Sequence, residues 1–171
     1  MIVSRRTFIL GLSAAVLSGC AVVPDNARVW RGRFSLRTSL NGRSEVQSGR
    51  FELTRAPDLL RLDLLTPLSG ILARIEETPR GASFARSLDD EPVVRPNMDA
   101  LLTELLGFTL PVGAMGSLLG EPAIQNECTY GAWRVRILSR LADSSPERLR
   151  IEGRADSSAP AVQLTLFVEH Q

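Results

Sequence analysis

The sequence predicts a mainly β protein with short helices, an α+β chain built on one curved antiparallel sheet, and three observations carry that expectation. In segment after segment, apolar residues alternate with polar ones, the period of a strand with one buried face. Turn-forming residues separate these segments at short intervals, among them Asn41-Gly42 and Ala56-Pro57-Asp58. Only between Pro96 and Gly120 does the spacing of apolar residues become helical.

Residues 1–19 read as a leader. Arg5 and Arg6 precede the apolar stretch Phe8 to Leu17, which only Gly11 and Ser13 interrupt. A basic start before a short apolar run is the layout of an export signal, and the run is shorter than the roughly 20 residues needed to span a bilayer. It closes on Leu17-Ser18-Gly19-Cys20, which resembles the bacterial lipobox. That resemblance implies cleavage before Cys20 and a diacylglyceryl group on its thiol, whose thiolate is a strong nucleophile for alkylation. Ser4-Arg5-Arg6-Thr7-Phe8-Ile9 fits a twin-arginine signal as well as an ordinary Sec-type start. Residue 21 is Ala and not the Asp that holds enterobacterial lipoproteins at the inner membrane, so by analogy the destination is the outer membrane. Residues 20–28, with Pro24, Asp25 and Asn26 and no periodicity, read as a lipidated tether, and residues 29–171 as a single domain of ordinary size.

The domain begins with a clear strand. Trp30, Phe34, Leu36 and Leu40 fall on one face of the stretch 30–40, while Arg31, Arg33, Ser35, Arg37 and Ser39 fall on the other. Asn41-Gly42 then supplies a tight turn, because both residues tolerate positive φ. Phe51 and Leu53 mark a second strand, Leu60, Leu62 and Leu64 a third, Ile71 to Glu76 a fourth, and Ala82 to Arg86 a fifth.

Met98, Leu101, Leu102, Leu105 and Leu106 follow i, i+3, i+4 spacing, with Asn97 placed to cap the helix and Gly107 to stop it. A second short helix spans Val112 to Leu119 and ends at Gly120. Strand alternation returns in Trp133, Val135 and Ile137, in Leu149 and Ile151, and in Val162, Leu164, Leu166 and Val168. The linkers 142–146 and 155–160 are rich in Asp, Ser and Pro.

Composition excludes several functions. Loss of Arg5 and Arg6 with the leader takes the net charge from +1 to −1, so no global basic field gathers nucleic acid. The only His is His170, beside the C-terminus, which leaves neither a Ser-His-Asp hydrolase nor a His-based metal centre. No G-x-S-x-G elbow is present either. No enzyme activity, metal or cofactor is expected. Cys128 has no disulfide partner once Cys20 carries lipid, and it reads as a small, half-buried strand or turn residue.

A sheet apolar on one face must cover that face, and only two short helices are available. The space between them is either an apolar cavity for a greasy ligand or a core packed with side chains; alternation alone fits both.

The motifs taken in order resemble a known family. Trp30-Arg31-Gly32-Arg33-Phe34-Ser35-Leu36, Gly49-Arg50-Phe51, Leu60-Arg61-Leu62 before Thr66-Pro67-Leu68-Ser69-Gly70, Leu110-Pro111-Val112, Leu118-Leu119-Gly120-Glu121-Pro122, Trp133-Arg134-Val135 and Pro146-Glu147-Arg148-Leu149 together look like the LolB family of outer-membrane lipoprotein receptors. The resemblance implies a half-barrel of antiparallel strands, lidded by helices, whose apolar cavity holds the acyl chains of other lipoproteins. It implies a periplasmic LolA-like carrier that hands over the acylated cargo, the phospholipid of the outer membrane as the acceptor, and no nucleotide. The protein would sit on the periplasmic face as a lipid-anchored monomer. Candidate cavity residues are Trp30, Phe34, Leu36, Phe51, Leu53, Leu62, Leu64, Leu102, Leu105, Trp133, Val135, Leu164 and Leu166. The chain departs from the family's pattern at Ser117-Leu118-Leu119-Gly120, where many members have a Trp.

Pro67, Leu68, Ser69 and Gly70 form the candidate membrane-insertion loop. A turn tip is normally polar, whereas this one carries Leu68, which by similarity to the family dips into the bilayer during release. The competing class is a structural or assembly lipoprotein of the outer membrane that binds protein partners and carries no lipid.

Overall fold

In the computed structural model, residues 26–65, 71–87, 90–120, 126–153 and 159–169 are described. The leader, Cys20, most of the tether and the loop Pro67–Gly70 lie outside them. Ten strands and two helices follow in order: β1 (Arg28–Leu40), β2 (Arg43–Ala56), β3 (Leu59–Leu65), β4 (Ile71–Thr78), β5 (Gly81–Ala85), β6 (Val93–Arg95), α1 (Met98–Leu106), α2 (Val112–Gly120), β7 (Glu127–Tyr130), β8 (Trp133–Arg140), β9 (Pro146–Gly153) and β10 (Ala161–Val168).

All the strands join one antiparallel sheet in the order β6-β5-β4-β3-β2-β1-β10-β9-β8-β7. Two meanders meet at a seam between β1 and β10, which runs from Gly32 opposite Val168 to Ser39 opposite Ala161. The sheet does not close; β6 and β7 are its edges. It must nevertheless curl. Strands lie about 4.8 Å apart, so seven steps would separate β5 from β8 by about 34 Å if the sheet were flat. Ala82 of β5 and Trp133 of β8 instead belong to one buried cluster with both helices. Among the described residues, every member of that cluster lies between Trp30 and Val168, all within the chain from Ala21 onward.

Glycines let the inner layer pack tightly. Three interior aromatics each face a glycine across the ladder: Phe51 opposite Gly32, Phe34 opposite Gly49, and Trp133 opposite Gly153. A Cβ at Gly49 would come 3.0 Å from the Phe34 ring, and one at Gly153 would come 2.7 Å from the Trp133 ring. At Gly32 it would also collide with the Phe167 carbonyl of β10, a close backbone approach that only glycine permits.

The outer face is polar and laced with ion pairs. Asp63 accepts two hydrogen bonds from Arg74, at 2.7 and 2.8 Å, and Arg61 donates to Glu76 at 2.8 Å. The hydrogen bonds it donates to Asp63 are the first reason that the Arg74 guanidinium is held above its ordinary pKa, with Glu76 and Glu52 adding attraction. Arg31 pairs with Glu52 and Arg136 with Glu152, at 2.6 and 2.5 Å.

Helix α1 starts and stops where its sequence directs. The Asn97 side chain accepts the Ala100 N–H at 2.9 Å, and Gly107, at φ 77°, donates its own N–H to the Thr103 carbonyl. The helix packs on β5 and β6, and α2 packs on β2.

Several boundaries differ from the sequence expectation. Leu40 is exposed, although alternation places it on the inner face. Among the described residues β3 reaches only the level of Arg50, so β2 from Arg43 to Gly49 pairs there with β1 alone, and Leu40 at the hairpin tip is left exposed. Strands β6 and β7, three and four residues long, are too short to show a period. Pro146, read as the end of a linker, begins β9 and is buried. Cys128 lies half-buried in β7.

Candidate functional site

The inner face is the candidate site, and alternation builds it strand by strand. Phe34 comes from β1, Phe51 and Leu53 from β2, Leu62 from β3, Trp133 and Val135 from β8, and Leu164 and Leu166 from β10; Leu102 reaches the same cluster from α1. Trp30, Leu36, Leu64 and Leu105 are half-buried at its margin. The described structure therefore gathers every residue of the candidate cavity set around one interior.

That interior is closed. Phe51, Leu53, Leu102 and Val135 are at most 1% exposed, so no space large enough for a water molecule touches them. Much of the filling comes from the helices, through Met98, Leu101, Leu102, Val112, Met115, Leu118 and Leu119. Helical periodicity marks these side chains as inward-facing. Apart from Leu102, they lay outside the candidate cavity set because a lid residue and a wall residue look alike in one dimension.

The openings lie at the rim, on either side of Trp30. One cleft, of about 440 Å³, is bordered by Arg28, Trp30, Leu119, Leu141, Pro146 and Val168. The other, of about 330 Å³, is bordered by Arg28, Trp30, Arg55, Pro57, Gly116 and Ser117. Both touch α2: Leu119 borders the first, and Gly116 and Ser117 border the second together with residues of β1 and β2.

Among the described residues, one side-chain hydrogen bond ties α2 to the sheet there. Arg55 Nη1 donates to Ser117 Oγ at 2.8 Å, and Gly116 leaves room for the guanidinium stem, since a Cβ on it would come 3.2 Å from Arg55 Cδ. Ser117 stands out in the sequence only as a departure from the family's pattern, and its contact with Arg55 is not readable there because it joins residues far apart in the chain. Helix α1 is held more firmly: Glu104 on it pairs with Arg95 of β6, and the Met98 N–H donates to Glu77 at 2.9 Å. The Arg95 guanidinium holds the exposed Glu104 carboxyl below its usual range.

Among the described residues no group of His, Cys, Asp and Glu is placed to hold a metal ion, and no helix is long and apolar enough to cross a membrane. The arrangement offers an apolar volume under two short helices, with polar rims and no charge inside.

Comparison with known proteins gives a consistent result. A family model described as outer membrane lipoprotein LolB matches residues 28–169. The outer-membrane lipoprotein LolB of Cupriavidus pinatubonensis is 32% identical, the match covering 97% of this chain and 96% of that one. That of Cupriavidus metallidurans is 33% identical over 90% of this chain and 76% of its own. The Bordetella pertussis protein of the same name is 33% identical over 63% of this chain and 57% of its own.

Proposed function

Because this chain belongs to the LolB family of outer-membrane lipoproteins, we propose that it accepts acylated lipoproteins from a LolA-like periplasmic carrier and inserts them into the outer membrane. The observation that carries this reading is the apolar interior whose cover is two short helices, one of them tied to the sheet, among the described residues, by one side-chain hydrogen bond. An acyl chain entering beside Trp30 replaces Leu118, Leu119 and Met115 against the sheet as α2 swings outward. The exchange swaps one apolar contact for another and costs little burial, since each methylene transferred from water contributes about 0.8 kcal/mol. No covalent step is needed. The lipid on Cys20 keeps the receptor at its membrane, because two or three acyl chains anchor stably where one does not. Mass spectrometry of the membrane fraction checks this anchor: the N-terminal peptide begins at Cys20 and carries added lipid mass.

The decisive experiment follows a radiolabelled lipoprotein through both transfers, from carrier to the purified chain lacking its own lipid, and from that chain to liposomes. Uptake followed by delivery supports the receptor reading. A second reading, an assembly lipoprotein that binds protein partners without carrying lipid, is favoured by the closed interior. Failure of the folded chain to take cargo selects it.

A further inference from the structure

The outer face of the sheet departs from its own pattern of paired charges. Over β1 to β4, Arg31 pairs with Glu52, Arg61 with Glu76 and Arg74 with Asp63. Across β2, β1, β10 and β9, by contrast, one row reads Arg50, Arg33, Phe167, Arg148, and the next reads Ser48, Ser35, Thr165, Arg150 before reaching Arg136 on β8. Arg33 lies directly opposite Arg50, and Arg150 directly opposite Arg136. Like charges in such positions destabilise a sheet.

Glu169 answers Arg50 and Glu152 answers Arg136. Among the described residues, Arg33, Arg148 and Arg150 have no carboxylate partner. Arg33 and Arg148 instead hold their guanidinium carbons 5.8 and 5.1 Å from the Phe167 ring centre. The Nε groups of Arg150 and Arg136 are buried with no acceptor. Buried donors left in this state point to an acceptor from outside the chain. Next to Arg33, a cleft of about 480 Å³ is lined by Ser35, Ser48, Arg50 and Phe167, which brings hydroxyl donors and an aromatic ring together.

From this geometry we propose that the Arg33, Arg148 and Arg150 face binds the phosphate of anionic phospholipid headgroups and holds the sheet against the membrane surface. Arginine forks suit phosphate oxygens in two-point contacts, and the Phe167 ring gives the glycerol and upper acyl carbons an apolar neighbour. A membrane occupant is favoured over a free ion by position. The chain leaves β3 at Leu65, which pairs with Arg50 at the edge of this patch, and enters the loop that carries Leu68. The inference is independent of cargo transfer, because it concerns the empty receptor.

The test is co-sedimentation of the chain starting at Ala21 with vesicles of phosphatidylcholine alone or of phosphatidylcholine and phosphatidylglycerol in equal parts. The wild-type chain should bind only the anionic vesicles. The double variant R33Q/R148Q should bind them about tenfold or more weakly, as two interfacial arginines require. A control, R43Q/R80Q, removes the same charge from the exposed start of β2 and an exposed turn and should lose less than about threefold. Inorganic phosphate should release bound protein better than chloride of equal ionic strength. Equal binding to both kinds of vesicle, or equal losses in the two variants, overturns the proposal. So does phosphate binding without vesicle binding, which would make the ligand a free ion. Retained vesicle binding by R33Q/R148Q with failed uptake from the carrier overturns it too, and assigns the face to the carrier protein.

Discussion

Gly32 shows how a single residue limits the sheet. Its missing side chain leaves space for the Phe51 ring and the β10 backbone at once. Gly32→Ala therefore forces the β1–β10 seam apart, and we predict a loss of about 2–3 kcal/mol of stability, read from urea unfolding. Leu68→Glu makes the opposite prediction. On an exposed tip it changes stability by no more than about 0.5 kcal/mol, yet a carboxylate pushed toward hydrocarbon costs several kcal/mol. Cargo uptake should persist while delivery to liposomes fails. Normal delivery would remove Leu68 from the mechanism, and a large drop in melting temperature would show it to be packed. At this scale alternation in the sequence was informative away from the hairpin tip that exposes Leu40: Phe51, Leu53, Val135 and Leu164 could be assigned inward without a structure. It was silent on which glycine faces which aromatic. Gly153 and Trp133 meet only because β8 and β9 pair in one particular register.

Among the elements, α2 is the one suited to move. Its sheet-facing tie is Arg55 to Ser117, whereas α1 has a side-chain cap, the Arg95–Glu104 pair and the Glu77 contact. Arg55→Ala should speed exchange of α2 amide hydrogens relative to those of α1 and raise the rate of cargo uptake. The tie is an exposed hydrogen bond to a charged group, so global stability should fall by no more than about 1–2 kcal/mol. Unchanged α2 exchange would show that the tie does not hold the lid. The helices themselves were legible from Asn97, Gly107 and the leucine spacing. Strands β6 and β7 were not, since three residues between Pro92 and Pro96, and four around Cys128, carry no readable period.

At the scale of the whole molecule, the closed interior sets a measurable condition on ligand entry. An apolar fluorescent probe should bind the folded chain in two kinetic phases, a helix-opening step independent of probe concentration at saturation and a faster association step. A single diffusion-controlled phase would mean that the interior is open at rest. The sequence left the choice between a hollow and a filled interior undecided. Strand alternation reports which side chains face inward, but how far two helices sink between them depends on the curvature of a ten-stranded sheet, a property of all the registers together.

The edges β6 and β7 never meet, and this has a mechanical consequence. In a closed barrel, strand number and stagger together fix the radius, so the capacity is set once the ladder forms. An open sheet obeys no such closure rule; small changes in twist between neighbours, summed over nine interfaces, widen or tighten it with every hydrogen bond intact. The fold is in this sense an elastic cuff, free to change girth while its ladder stays whole.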